Sequence, residues 1–450
     1  MNQNHHRHVE DRAGKRARVK AREKAILVGL ELPKQSGYRQ TWSIEESLEE
    51  LASLSKTAGV RVRGQVVQRR AKPDPSFYIG KGKADEVKQL AERKNVDTII
   101  FNEELGPAQS RNLENRIGKK TVDRAQLIMD IFAQRATTKE AQLQVELAQL
   151  EYLLPRLRGW GEALERLGGG IGTRGPGETR LERDRQKVQR RIESIERKLD
   201  QAAKEWEVRR KRRVKHSIPE IAIVGYTNTG KTTLLNQLTN SGGFVENKLF
   251  ATLDPLTRKL KLPDKREVLL IDTVGLIRNL PHQLIPAFRS TLKSARVASL
   301  LINVMDVTKE QIAKRWQTVN RILNEDVFDK VEDRPPVINA LNKVDQLEDQ
   351  SKLYQLEKQI DNAVSVSAKS GTNMKDLKAM IADKLGNNLK KVSLEIPYAQ
   401  ADLVEWFHEK GEVNSEEYQK GSIKLQGTME SHLLEQLKRK ADGAGTIKSC

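Results

Sequence analysis

The stretch Gly225-Tyr226-Thr227-Asn228-Thr229-Gly230-Lys231-Thr232 leaves a chain few ways to fold. The apolar run Ile221-Ala222-Ile223-Val224 leads into it and Thr233-Leu234-Leu235-Asn236-Gln237-Leu238 leads out. A buried strand therefore passes through a glycine-rich turn into a helix, the context a phosphate-binding loop requires. The two glycines let backbone N–H groups converge on phosphate oxygens. Lys231 brings a point charge to the β/γ-phosphates, and the Thr232 hydroxyl can ligate Mg²⁺. This reading makes residues 225–233 binding residues for a nucleoside triphosphate and predicts an α/β fold around them.

The base is read further along. Val337-Ile338-Asn339-Ala340-Leu341 has the pattern of another buried strand and ends in Asn342-Lys343-Val344-Asp345. Guanine presents a ring N–H beside an exocyclic amine, and one carboxylate accepts both; adenine has no such donor pair on that edge. Asp345 is thus the guanine reader, with Lys343 along the base face and Asn342 tying the loop to the phosphate loop. Ser367-Ala368-Lys369 follows the short apolar stretch Ala363-Val364-Ser365-Val366 and fits a second base loop, the Ala368 N–H meeting the guanine carbonyl. An Asn-Lys-x-Asp alone is weak, because loops are rich in Asn and Asp. After a phosphate loop it points to GTP.

Two segments close the site. Leu269-Leu270-Ile271 leads to Asp272-Thr273-Val274-Gly275, where Asp272 holds Mg²⁺ through water and the Gly275 N–H touches the γ-phosphate. Between lies Phe250-Ala251-Thr252-Leu253-Asp254, whose Thr252 supplies a second hydroxyl to Mg²⁺ when the γ-phosphate orders it. Thr257 is a rival for that role. Lys231, Thr252 and Gly275 are the expected catalytic groups, and Thr232, Thr252 and Asp272 the expected metal ligands. Position 276 is Leu rather than the water-orienting glutamine of Ras-like enzymes, so slow intrinsic turnover is expected. Asn228 stands where a side-chain carbonyl could hold K⁺ against the phosphates.

A chain of 450 residues makes about three domains at the usual size. Its net charge of +19 points to a polyanionic partner. The single cysteine, Cys450, excludes an internal disulfide, and there is neither a signal segment nor a long apolar run. A soluble, cytoplasmic protein is expected, with membrane association at most peripheral. Residues 1–24 carry eight Lys/Arg and are expected to be a disordered basic tail. Residues 25–136 alternate strand and helix: Ala25 to Leu30, Val60 to Val67 and Val96 to Phe101 as strands; Ser43 to Lys56, Gly82 to Asn95 and Pro107 to Ile117 as helices. Such alternation implies a small parallel sheet. Gly80-Lys81-Gly82-Lys83 resembles a phosphate turn only superficially.

From about Thr137 the period changes. Leu143, Leu147, Leu150, Leu154 and Leu157 recur at spacings of four and three, as do Leu181, Val188, Ile192, Ile195, Leu199, Ala202 and Trp206. These are two coiled-coil-like helices over 137–215, an antiparallel hairpin whose tip is the glycine-rich segment Gly159 to Gly177. The second helix would be about 50 Å long. From Glu178 to Lys215 there are 15 Lys/Arg against 8 Asp/Glu. A long cationic arm with a glycine tip favours folded RNA over DNA, read by shape and phosphate, and aromatics at 4% argue against base stacking. The GTPase domain spans 216–386, and 387–450 reads as a small α+β lobe with a strand at Lys391 to Ile396, a helix at Ala401 to Glu409, a strand at Ser422 to Gln426 and a helix at His432 to Lys440.

The chain resembles the HflX family, GTPases of the Obg–HflX group. The resemblance is carried by Gly225 to Thr232, Phe250-Ala251-Thr252-Leu253-Asp254-Pro255, Asp272 to Gly275, the hairpin segment from Gln144 to Leu157, and Gly175-Pro176-Gly177-Glu178-Thr179 with Leu181-Glu182. It spans roughly Ala25 to Gly386, with two departures, Thr229 for a small apolar residue and Leu276 for a phenylalanine. It implies Mg²⁺-dependent GTP hydrolysis stimulated by the ribosome, binding of a monomer to the rRNA of the 50S subunit with the tip toward the peptidyl-transferase region, and splitting of stalled ribosomes. A ribosome-assembly or RNA-remodelling GTPase is the alternative.

Overall fold

The computed structural model describes residues 8–10, 16–18, 23–33, 42–165, 176–214, 218–242, 249–250, 255–278, 292, 294–309, 311–328, 334–419, 421–430, 433–434, 437 and 448–449. It divides into two compact units, Met1–Gln134 with Leu153–Arg183, and Arg135–Tyr152 with Asp184–Cys450. Within the stretch expected to be disordered, β1 (His8–Glu10) and β2 (Arg16–Arg18) pair antiparallel. The rest of residues 1–22 lies outside the described residues.

In the first unit, β3 (Lys24–Glu31), β4 (Arg61–Arg69), β5 (Thr98–Phe101) and β6 (Lys120–Val122) form a parallel sheet in the order β4-β3-β5-β6. The central β3 is buried from Ala25 to Leu30, whereas the edge strand β4 alternates exposed and half-buried residues. Helix α1 (Ile44–Thr57) starts where the sequence places it: Ser43 accepts the Glu46 N–H and the Glu46 carboxylate accepts the Ser43 N–H. Helices α2 (Lys81–Arg93) and α3 (Pro107–Ile117) follow. The short β6 and helix α4 (Arg124–Arg135) were not anticipated. Asp123 caps α4 by accepting the Gln126 N–H at 2.9 Å. Arg124, buried in the first turn, is ion-paired with Glu50 of α1.

The long helices are α5 (Lys139–Glu165) and α6 (Pro176–Val214). Helix α5 carries Pro155 inside and runs on through Gly159 and Gly161, so the tip expected at 159–177 begins later; residues 166–175 lie outside the described residues. Two glycines cost about 1 kcal/mol each in a helix, which neighbouring helix formers offset. The buried face of α5 is also shifted. Ala141, Val145, Ala148 and Tyr152 are buried together with Leu147 of the expected seam, whereas Leu143, Leu150, Leu154 and Leu157 are only half-buried. On α6 the expected seam holds at Ile192 and Ile195. In the second unit Arg191 donates to both oxygens of Glu146, at 2.7 and 2.9 Å, joining the two helices.

That unit's main sheet has the order β12-β11-β10-β7-β9-β8. Strands β7 (Glu220–Gly225), β9 (Glu267–Asp272), β10 (Leu300–Asp306), β11 (Val337–Asn342) and β12 (Ala363–Val366) are parallel; β8 (Leu256–Lys261) runs antiparallel at the edge. Helix α7 (Lys231–Thr239) buries Leu234, Leu235 and Leu238 against Ile221, Ile223 and Leu270 of the sheet. Parallel strands covered on both faces read as continuous apolar runs, which is why the sequence announced them. The terminal sheet is antiparallel, in the order β14-β15-β13-β16, from β13 (Leu389–Pro397), β14 (Glu412–Gln419), β15 (Ser422–Glu430) and β16 (Lys448–Ser449). The helix Ala401–Lys410 packs Phe407 on Ile396 and Leu425. The unanticipated β14 is a polar edge strand, and most of the helix expected at 432–440 lies outside the described residues.

Candidate functional site

The site gathers where β7, β9, β10 and β11 end, the side of a parallel sheet on which ligands bind. Gly225 closes β7 at φ +146°, and a Cβ there would sit 2.4 Å from the Val304 carbonyl oxygen. The loop is then pinned from inside. The Thr227 N–H donates to the Leu276 carbonyl at 2.8 Å, and the Leu276 N–H to the Gly225 carbonyl at 3.0 Å. Thr229 satisfies its buried hydroxyl on the Tyr226 carbonyl at 3.1 Å. Leu276 itself is 1% exposed, so its side chain belongs to the core.

Lys231 opens α7 with its ammonium folded back into the loop, 3.2 Å from the Gly225 carbonyl oxygen and 2.9 Å from that of Tyr226. Only 7% of the residue is exposed. Burial lowers its pKa from 10.5 to about 8, against the opposing charge of Asp272. The next residue, Thr232, donates its hydroxyl to Asp272 Oδ2 at 2.6 Å. Asp272 is fully buried, as is Thr273, whose hydroxyl donates to the Ile223 carbonyl at 2.7 Å. Val274 is buried, and Gly275 lies against the loop: a Cβ on it would stand 2.9 Å from Thr227 Cα and 3.0 Å from Lys231 Nζ. A hydroxyl beside a carboxylate is a hard, all-oxygen donor pair. Among the described residues no group of three or more His, Cys, Asp or Glu could hold a metal by itself. The pair therefore fits Mg²⁺, which keeps waters and takes one or two protein oxygens together with phosphate.

The two base loops are stitched together. The Asn342 side chain donates to the Thr229 carbonyl at 2.8 Å and accepts the Ala368 N–H at 2.9 Å. The first contact is the tie to the phosphate loop that the sequence led us to expect. The second engages the Ala368 N–H, the group expected to meet the guanine carbonyl, and so ties that N–H to the first base loop. Ser367 donates its hydroxyl to Asp345 Oδ1 at 2.6 Å, setting the carboxylate's orientation. Lys343 has left-handed backbone (φ +70°), Val344 begins the short turn Val344–Gln346, and Lys369 is exposed. The Lys343 ammonium reaches the Asn228 carbonyl at 3.0 Å and Asp306 Oδ2 at 2.7 Å. Asp306 was passed over in the sequence, although an acidic residue ending an apolar strand beside this loop was a usable signal.

Not every expected residue converges. Phe250 is buried at φ +53°, a core side chain, and Thr233 is half-buried on α7. Ala251, Thr252, Leu253 and Asp254 lie outside the described residues. The rival Thr257 is in β8, paired with Ile271 and exposed. Asn228 is exposed at φ +63°.

A lysine-bearing glycine loop between strand and helix, a Thr–Asp oxygen pair and two interlocked base loops define a P-loop GTPase. Family models match in chain order: GTP-binding GTPase N-terminal at 45–133, GTP-binding GTPase Middle Region at 135–213, 50S ribosome-binding GTPase at 220–343 and HflX C-terminal domain at 352–448. GTPase HflX of Caldanaerobacter subterraneus subsp. tengcongensis is 45% identical over 394 residues, which are 88% of this chain and 90% of the relative. GTPase HflX of Escherichia coli K12 is 39% identical over 387 residues, 85% of this chain and 90% of the relative. This chain belongs to the HflX family of GTPases. A GTP-binding protein from Sulfolobus solfataricus, solved in complex with GDP, aligns over 81% of this chain and 99% of its own at 27% identity, with a TM-score of 0.42.

Proposed function

We propose that this GTPase binds the large ribosomal subunit through rRNA and splits stalled or idle 70S ribosomes in a GTP-dependent cycle. The observation that carries the reading is the 39-residue helix α6, cationic in sequence and clamped to α5 by Arg191 and Glu146, in the same chain as the GTP site. The nucleotide chemistry has no need of an arm on that scale. The family model over 220–343, described as a 50S ribosome-binding GTPase, supports the same partner. No helix among the described residues is long and apolar enough to cross a membrane. We place the protein in the cytoplasm, acting as a monomer.

At the site, Thr232 and Asp272 would hold Mg²⁺, with Thr252 joining when the γ-phosphate is present; bound there, the ion would supply positive charge to the phosphates. Lys231 and the Gly275 N–H serve the transferring phosphoryl group, and Asp345, with Lys343 alongside, reads guanine. Arg213-Val214-Lys215-His216-Ser217 joins the arm to the strand entering the phosphate loop with little slack, so GTP and the ribosome strengthen each other's binding by the same factor.

Sedimentation with a non-hydrolysable GTP analogue tests this. The expected result is loss of 70S particles and co-migration with mature large subunits; enrichment on immature particles would turn the reading to ribosome assembly. Deleting Gly168 to Gly177 should abolish splitting while basal GTP hydrolysis persists, and a deletion variant that splits normally reduces the arm to an electrostatic anchor. K⁺ at Asn228 is a separate proposal. It predicts faster turnover in K⁺ than in Na⁺, and equal rates discard it.

A further inference from the structure

The geometry points to Asp306 as a positioning residue that, with Thr308, holds Lys343 across the guanine site and so sets nucleotide affinity. This rests on reading Asp345 and Lys343 as the base-binding residues. Asp306 ends β10, with a side chain 5% exposed. Both its oxygens are engaged. Oδ1 accepts the Thr308 N–H at 3.0 Å and the Thr308 hydroxyl at 2.6 Å, which fixes the carboxylate plane; Oδ2 faces Lys343 Nζ at 2.7 Å. The backbones are joined as well, since the Val307 N–H donates to the Asn342 carbonyl at 3.0 Å.

Lys343 needs such a hold. Its φ of +70° is a conformation that costs a non-glycine residue stability, and its aliphatic stem gains nothing unless the ammonium is anchored. The anchor has two parts, the Asp306 carboxylate and the Asn228 carbonyl of the phosphate loop. The stem is thereby drawn from the base loop toward the phosphate loop, where it can lie along the face of a purine. A charge-assisted bond to a nearly buried carboxylate is the stronger of the two. Without it, the ammonium gains more by turning to water than by keeping one carbonyl.

Asp306→Asn makes the test sharp. The amide retains the shape, but one end must then place an N–H₂ donor against either the Lys343 ammonium or the Thr308 N–H. The binding of GDP and inosine diphosphate is measured on the full chain with Mg²⁺. Inosine lacks the exocyclic amine that Asp345 reads, so the GDP-to-inosine ratio reports Asp345, whereas Lys343 along the face serves both bases alike. Asp306→Asn is expected to weaken both ligands by the same factor, about tenfold, with their ratio unchanged and with part of the loss restored in Asp306→Glu. In a Lys343→Met background, Asp306→Asn should cost nothing further.

Equal GDP and ADP affinities in the unmodified protein would remove the guanine reading itself. If guanine is preferred, two results overturn the inference about Asp306: unchanged GDP affinity in Asp306→Asn, or losses that simply add with Lys343→Met. The second result would also expose a general loosening of the site, because misfolding does not depend on which side chain stands at 343.

Discussion

Lys231→Met is expected to lower GTP turnover by about a thousandfold, roughly 4 kcal/mol of transition-state stabilisation. Methionine keeps the stem's length and removes the charge beside the transferring phosphate. Stability should respond in the opposite sense. With Lys231 held near pKa 8 rather than 10.5 in the fold, the unfolded chain binds more protons between those values. The unmodified protein, free of nucleotide, therefore gains stability as pH rises from about 8 to 10.5, and at lower pH it bears a burial cost of about 3 kcal/mol. In Lys231→Met that rise should vanish, and the thermal midpoint near pH 7 should not fall. Turnover at the unmodified rate would remove Lys231 from the chemistry.

Gly225→Ala should unfold the nucleotide-binding part of the chain at a much lower temperature. A Cβ at residue 225 meets the Val304 carbonyl oxygen at 2.4 Å and the Val304 nitrogen at 3.1 Å, and the backbone stands at φ +146°. Strands β7 and β10 are central and paired at that point, so neither can retreat without breaking the ladder. Strain and overpacking together cost roughly 3 kcal/mol or more, about 10 °C in the midpoint for a domain of this size. Gly242→Ala is the control, since its Cβ meets nothing within 4 Å. An unchanged midpoint in Gly225→Ala would mean that the strand pair relaxes where we expect it to resist.

Both residues were legible in the sequence for the same reason: a loop that turns backbone N–H groups onto a phosphate restricts residue choice sharply. The buried parallel strands were legible because both faces are apolar, and α1 because Ser43 and Glu46 write its start. Elsewhere the signal was ambiguous or absent. Helix α5 has two apolar stripes, and spacing alone favoured the leucines; the face that is covered takes only Leu147 from them and adds Ala141, Val145, Ala148 and Tyr152. Strand β6, three residues long, is too short to show a period, and β14 is a polar edge whose pairing comes from its neighbour. Asp306 and the bond from Ala368 to Asn342 depend on strand ends meeting in space, which no local pattern records.

The burial of Leu276 carries a consequence for timing. Its backbone is exchanged with the phosphate loop through Thr227 and Gly225, and its side chain faces the core, so the position is structural and cannot serve as a detector. A glutamine grafted there would bury an amide, lose stability and still fail to face the attacking water. The dwell time in the GTP form thus cannot be reset by one substitution at that position. We propose that a docking partner sets it instead, so that GTP is kept until the right surface has been found.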